Sequence, residues 1–247
     1  MRIEVTAEGA GPTVVFLPSL GRDSHDYDEV SALLAADGYR VLRPQPRGVD
    51  GSTGPMTGLT LRELATDVAE VIEHESNGPA IIVGHAFGHY VARMLDVIRP
   101  DLVDGIVLAA ASERNFAPGL SELVAKCSDL SLPEAERLAC LEQVFFAPGN
   151  DARIWLGGWY GETQEMQRAA VSATPKDIWW AVADAPLLDL QADLDPFRPE
   201  SSIDELKNQF GDLVTIARVP NTRHALIPEA PEAVASEVDS WITSLKR

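Results

Sequence analysis

Five residues, Gly84-His85-Ala86-Phe87-Gly88, have the spacing of a reactive turn. They lie between an apolar run, Ala80-Ile81-Ile82-Val83, and a helical pattern that begins Tyr90-Val91-Ala92. A strand that enters a helix through a sharp, glycine-flanked turn is the setting of the G-x-S-x-G nucleophile elbow. The glycines leave out side chains that would clash, and the central residue presents its side chain for attack on a carbonyl carbon. Here the central residue is Ala86, which has no nucleophilic atom. Acyl chemistry at such a turn further requires a base in hydrogen-bond reach, a carboxylate to orient that base, and amide donors for a developing oxyanion.

The elements around the turn follow a repeating order. Met1 to Thr6 alternates and predicts an edge strand, and Glu8-Gly9-Ala10-Gly11-Pro12 predicts a turn. Thr13-Val14-Val15-Phe16-Leu17 is a continuous β-branched run of the kind buried on both faces of a sheet. A helix is expected over Asp26 to Ala36, then a strand at Tyr39-Arg40-Val41-Leu42 and a long Pro/Gly loop. Thr60 with Glu63 three residues on forms a capping box for the next helix. Gly105 to Ala110 is another buried strand. The alternation lapses from Glu113 to Ala185, which reads as mostly helical, and resumes at Pro186 to Leu190. A helix over Ile203 to Phe210, a strand at Val214 to Ala217 and a final helix from Pro231 to Leu245 complete it. Alternating strands and helices predict an α/β fold with a mostly parallel sheet and helices on both faces.

Composition limits the partners. Lys plus Arg number 20 and Asp plus Glu 38, a formal charge of -18, which opposes binding to nucleic acid or to an anionic membrane. Cys127 and Cys140 show neither C-x-x-C nor Cys/His spacing, so no zinc site and no disulfide framework is expected, only two reduced thiols. No apolar run is long enough to span a membrane, and no signal-peptide stretch opens the sequence, so a cytoplasmic protein is expected. Nothing in the sequence sets an oligomeric state.

Four segments occur in a telling order: Pro18-Ser19-Leu20-Gly21, the Gly84 to Gly88 turn, Ala192-Asp193-Leu194-Asp195-Pro196 and Asn221-Thr222-Arg223-His224-Ala225-Leu226. With them the chain resembles the α/β-hydrolase family over essentially its whole length. The resemblance implies a hydrolase core over residues 1–114 and 186–247, with residues 115–185 as an inserted helical lid. It implies His224 as general base and Asp195 as the acid that holds the imidazole in one tautomer. Asp193 is a close competitor, because Ala192 stands where the family often has glycine, and Glu113 is a third candidate. It implies oxyanion donors at the amides of Leu20 and Phe87. Pro18-Ser19 stands where the family usually has His-Gly, which makes Ser19 a candidate substrate contact. His85 is a further candidate contact, with packing as the plainer alternative; His89 reads as packing, and His25 and His74 as surface residues. Trp155, Trp159 and Trp180 are candidate cavity walls for an apolar or aromatic small molecule, with packing of the lid's own core as the plainer alternative. No metal and no organic cofactor is implied.

Ala86 admits three readings. The chain is a serine hydrolase of a small apolar ester, lactone or related carbonyl compound whose nucleophile has been replaced, by design or naturally. Alternatively, the Asp195-His224 dyad activates water or abstracts a substrate proton without a covalent intermediate, in the manner of lyases or oxygenases. In the third, the fold binds a small ligand without chemistry. Alanine is neither Asp nor Cys, which disfavours dehalogenase, epoxide hydrolase and dienelactone hydrolase mechanisms.

Overall fold

In a computed structural model the structure describes residues 1–115, 117–181 and 183–245. The strands β1 (Val5–Gly9), β2 (Thr13–Leu17) and, after helix α1 (Asp28–Ala36), β3 (Arg40–Pro44) form one side of a sheet. Helix α2 (Leu61–Glu75), strand β4 (Ala80–His85), helix α3 (Gly88–Ile98) and strand β5 (Val103–Ala109) follow. Helices α4 (Leu120–Ser128), α5 (Glu134–Val144) and α6 (Gly161–Ser172) fall between β5 and β6 (Leu187–Ala192). The chain closes with α7 (Glu205–Phe210), β7 (Val214–Val219), the short α8 (Leu226–Glu229) and α9 (Pro231–Leu245). The sheet has seven strands in the order β1-β3-β2-β4-β5-β6-β7. β1 is antiparallel to β3, and every other pairing is parallel.

Neighbouring residues of the central strands feed opposite faces, as the period of two requires. Val15, Leu42, Ile82 and Ile106 join a core with α2 and α3 residues such as Leu64, Val68, Val91 and Leu95. Val14, Val41, Ile81 and Val107 join a second core with Val30 and Leu34 of α1 and Val234, Val238 and Trp241 of α9. This double burial is why those strands read as unbroken apolar runs. The expected capping box is present: the Glu63 carboxylate accepts from the Thr60 amide at 2.7 Å, and the Thr60 hydroxyl caps the helix start.

One edge differs from expectation. The first strand is Val5–Gly9, not Met1 to Thr6, and the expected turn residues Glu8 and Gly9 belong to it. Its register is set by β3, from Val5 opposite Pro44 to Gly9 opposite Arg40. Gly9 allows the close approach that follows, since a Cβ there would lie 2.2 Å from the Tyr39 carbonyl oxygen. Cys127 and Cys140 are free and buried side by side in a third cluster with Leu141, Phe146 and Trp155. That cluster takes in Phe197 and Ala225, from the loops after β6 and β7, so the inserted helices pack directly on those loops.

Candidate active site

The elbow forms where β4 gives way to α3. Gly84 and Gly88 are there for close approach: a Cβ on Gly84 would meet the His89 backbone at 2.5 Å, and one on Gly88 the Leu17 carbonyl oxygen at 2.2 Å. The turn itself falls on Ala86, at φ +46°, a left-handed conformation that costs an L-residue roughly 1–2 kcal/mol. The Ala86 amide donates to the Ala109 carbonyl at 2.9 Å, which ties the elbow to β5. Ala86 thus keeps the strained backbone of the elbow and lacks only the oxygen.

Beside it, His224 Nδ1 lies 2.8 Å from Asp195 Oδ2. The other oxygen of Asp195 accepts from the Phe197 amide at 2.8 Å, so both carboxylate oxygens are engaged. The Phe197 ring lies against the imidazole, with centroids 4.2 Å apart. The loop that carries Asp195 is anchored by Arg198, which donates to Asp189 Oδ2 in β6 at 2.8 Å and to the Ala111 carbonyl. The Arg198 and Asp189 side chains are both buried, and burial pushes the Asp189 carboxyl up from its ordinary value while Arg198 opposes that. Of the competing acids, Asp193 instead pairs with Arg218 at 2.9 Å on the surface. Glu113 gives its backbone amide to the Phe197 carbonyl at 3.0 Å, and the carboxylate on His224 is that of Asp195.

His224 is held from behind by His85. His85 Nε2 is 2.7 Å from the His224 carbonyl oxygen and therefore carries the proton, so Nδ1 is free to accept from the Tyr27 hydroxyl at 3.0 Å. The Tyr27 oxygen in turn accepts the Ser19 amide at 3.1 Å. Burial lowers the His85 pKa to about 3, which keeps this ring neutral. One relay thus joins the loop after β2, the end of β4 and the loop after β7.

A cavity of about 350 Å³ opens over the elbow, and Ser19, Leu20, Ala86, Phe87 and His224 line it. Among the described residues the Leu20 and Phe87 amides have no hydrogen-bond partner, and Phe87 sits at the uncapped N-terminus of α3. Two unpaired amides on one cavity wall are what an oxyanion site requires.

Four candidates lie elsewhere. His85 is fully buried in its relay and does not line the cavity. Trp155 is fully buried against Phe146 and under the Arg22 guanidinium, 4.5 Å from its ring centroid. Trp159 lies under the same guanidinium and donates its indole N–H to the Trp155 carbonyl. Trp180 packs between His89 and Arg93. All three indoles are buried in the protein interior and none lines the cavity. Residues the sequence did not single out take their place: Tyr90, Ser112, Phe145 and Phe197 line the cavity, with Arg168 and Lys176. Tyr90 is one helical turn after Ala86 and Phe197 two residues after Asp195, the only sequence signals that pointed to them. His89, expected to pack, is buried, and neither ring nitrogen has a partner among the described residues. Burial first, then Arg93, holds its pKa well below the ordinary histidine value.

Among the described residues no group of His, Cys, Asp and Glu is arranged to hold a metal ion, and no helix is long and apolar enough to cross a membrane.

Residues 12–170 match the family model for the alpha/beta hydrolase fold, and the chain belongs to that family. Over 109 residues it is 38% identical to BpoC of Mycobacterium tuberculosis, assigned provisionally as a non-heme bromoperoxidase; the match takes in 43% of this chain and 40% of BpoC. It is 30% identical over 149 residues to the soluble epoxide hydrolase of a Corynebacterium species, 60% of this chain and 48% of that protein. The matched segments therefore span less than half the length of these relatives. In three dimensions the crystal structure of BpoC superposes with a TM-score of 0.82 at 21% identity, over 100% of this chain and 97% of BpoC. An esterase from Exiguobacterium antarcticum gives 0.81 at 18% identity, over 98% and 95%.

Proposed function

We propose that the chain is a hydrolase of a small apolar ester, lactone or related carbonyl compound, and that the inserted helices act as the lid of its cavity. The observation that carries this reading is the His224–Asp195 pair, 2.8 Å apart, beside an elbow whose backbone is intact at Ala86. The unpaired Leu20 and Phe87 amides would bind the carbonyl oxygen as it gains charge. With serine at position 86, His224 would take the hydroxyl proton as the oxygen attacks, and later return it to the leaving group. The names of the family relatives, an epoxide hydrolase and an esterase among them, support hydrolysis as the class. The test is Ala86→Ser against a panel of small esters and lactones. Ester turnover and labelling by a serine-directed phosphonate are expected to appear or rise, and an inert Ser form would refute a replaced nucleophile.

Ala86 itself favours a second reading. With only a methyl group at the elbow, His224 would act on a water molecule directly, or on an acidic C–H of the substrate, with Asp195 stabilising the imidazolium in either case. In this reading the unaltered chain turns over a substrate, and His224→Ala abolishes it. Equal rates with and without His224 would remove the dyad from the mechanism.

A further inference from the structure

The charged residues on the cavity wall, His224 aside, are two cations, Arg168 and Lys176. Arg168 and Ser172 are four residues apart on α6 and so share one helical face, and Ser172 lines the cavity too. Lys176 begins the short helical turn Lys176–Ile178 that follows. Among the described residues neither cation forms an ion pair, although the chain carries 38 acidic residues against 20 basic ones. Of the buried cations elsewhere, Arg22 pairs with Asp26, Arg47 with Asp67 and Arg198 with Asp189, while Arg93 and Arg137 donate only to backbone carbonyls and line no part of this cavity. The Arg168 side chain has no hydrogen-bond partner among the described residues. Lys176 donates to the Arg114 carbonyl at 2.7 Å and lies 5.4 Å over the Trp180 ring, contacts that supply no anionic partner.

The environment acts on both groups in the same direction. Burial lowers the Arg168 pKa. Burial and then the neighbouring Arg114 charge lower that of Lys176, and Glu205 opposes this more weakly without forming an ion pair. Lys176 is half-buried and Arg168 exposed at the cavity's edge, and neither has a counter-charge in contact, which a bound anion would supply. The rest of the wall is chiefly hydrocarbon and aromatic, Val124, Val171 and Phe145 among it, with four serines. A monoanion loses less hydration than a phosphate dianion on entering such a cavity, so carboxylate is the matching class.

We propose that the cavity takes substrates that carry a carboxylate in addition to the reacting carbonyl, with the carboxylate held by Arg168 and Lys176 and the hydrocarbon between the two groups held by the apolar wall. The substrate class is then an ester or related derivative of a short dicarboxylic acid. The reacting-carbonyl half of this statement rests on the hydrolase reading; the anion half does not.

Calorimetric titration of the unaltered chain with monomethyl adipate and with dimethyl adipate compares one ligand that carries the charge with one that lacks it. The half-ester is expected to bind about tenfold more tightly at low salt, from charge-assisted hydrogen bonds to two cations. Arg168→Gln and Lys176→Gln should each weaken the half-ester far more than the diester, and added salt should narrow the preference. Equal or tighter binding of the diester, no binding of the half-ester, or equal losses for both ligands in the variants would overturn the proposal. Ester cleavage by the Ala86→Ser form, followed with both compounds, separates the two readings. Cleavage of the diester without any half-ester preference leaves the hydrolase reading standing and this one not. Half-ester binding through Arg168 and Lys176 without any cleavage leaves the anion half standing and overturns the hydrolase reading together with the ester half.

Discussion

His85 donates from Nε2 to the backbone carbonyl of His224 at 2.7 Å, so the residue next to the elbow alanine holds the loop that carries the candidate base. The two are 139 residues apart in sequence. His85→Phe would remove that donor and also the acceptor of the Tyr27 hydroxyl, leaving the buried His224 carbonyl without its side-chain donor and the Tyr27 O–H without an acceptor. A loss of about 1–3 kcal/mol in unfolding free energy is expected. A denaturation midpoint equal to that of the unaltered chain would show the relay to be energetically idle.

The same residue gives the protein an acid sensitivity. In the unfolded chain a histidine titrates near the ordinary value of about 6.5, whereas in the folded chain His85 titrates at about 3. Between these values the unfolded state binds more protons, so the contribution is complete above the upper value and is lost as the pH falls towards the lower one. Asp26, Asp96, Asp189 and Glu229, all raised by burial, act in the opposite direction. His85→Phe isolates the histidine. The stability gap between variant and unaltered chain should shrink by about 1.4 kcal/mol per pH unit on acidification below the upper value. A gap that stays constant from neutral pH down to pH ~4 would contradict a neutral buried ring.

Arg198 is expected to be among the most sensitive positions outside the cavity. Arg198→Met leaves Asp189 buried without its counter-charge, a change that costs about 3–5 kcal/mol. The double variant Arg198→Met, Asp189→Leu should recover most of the loss, since no unpaired charge remains. Chemical denaturation of both variants checks this, and a double variant as unstable as the single one would indicate that the contacts of Arg198 with Ala111 and Ile203 matter more than the ion pair.

The strain at the elbow can be measured directly. Ala86→Gly removes the Cβ from a left-handed backbone and should stabilise the fold by about 1 kcal/mol, or roughly 2–4 °C in Tm. A lower Tm would mean that the methyl group packs well enough to outweigh its backbone strain.

The sheet was legible in the sequence wherever both faces are covered. Val14 to Leu17 and Ala80 to Val83 are apolar without a break because helices lie on each side. β1 was displaced by a few residues because an edge strand has no such run, and its bounds are set by pairing with β3. The elbow, the histidine loop and the acid loop were legible as segments. The choice between Asp193 and Asp195 was not, since two carboxylates two residues apart differ only in where the chain turns: one reaches Arg218 and the other His224. For Trp155, Trp159 and Trp180 the structure gives the packing alternative, which the sequence left open because an aromatic side chain is buried equally well by a cavity wall or by a core. Arg168 and Lys176 gave no sequence signal, because an unpaired cation can be recognised only once its neighbours in space are known.

Ala86 retains a left-handed backbone, with its amide bonded to β5 and two unpaired amides close by on the cavity wall. Alanine and serine codons can differ in a single base. A spontaneous mutation at one nucleotide would therefore place a hydroxyl at a turn already shaped to display it, with no accompanying change in the main chain. In a growing population such a serine variant would arise repeatedly, and growth on a suitable ester as sole carbon source would select it if the hydrolase reading holds.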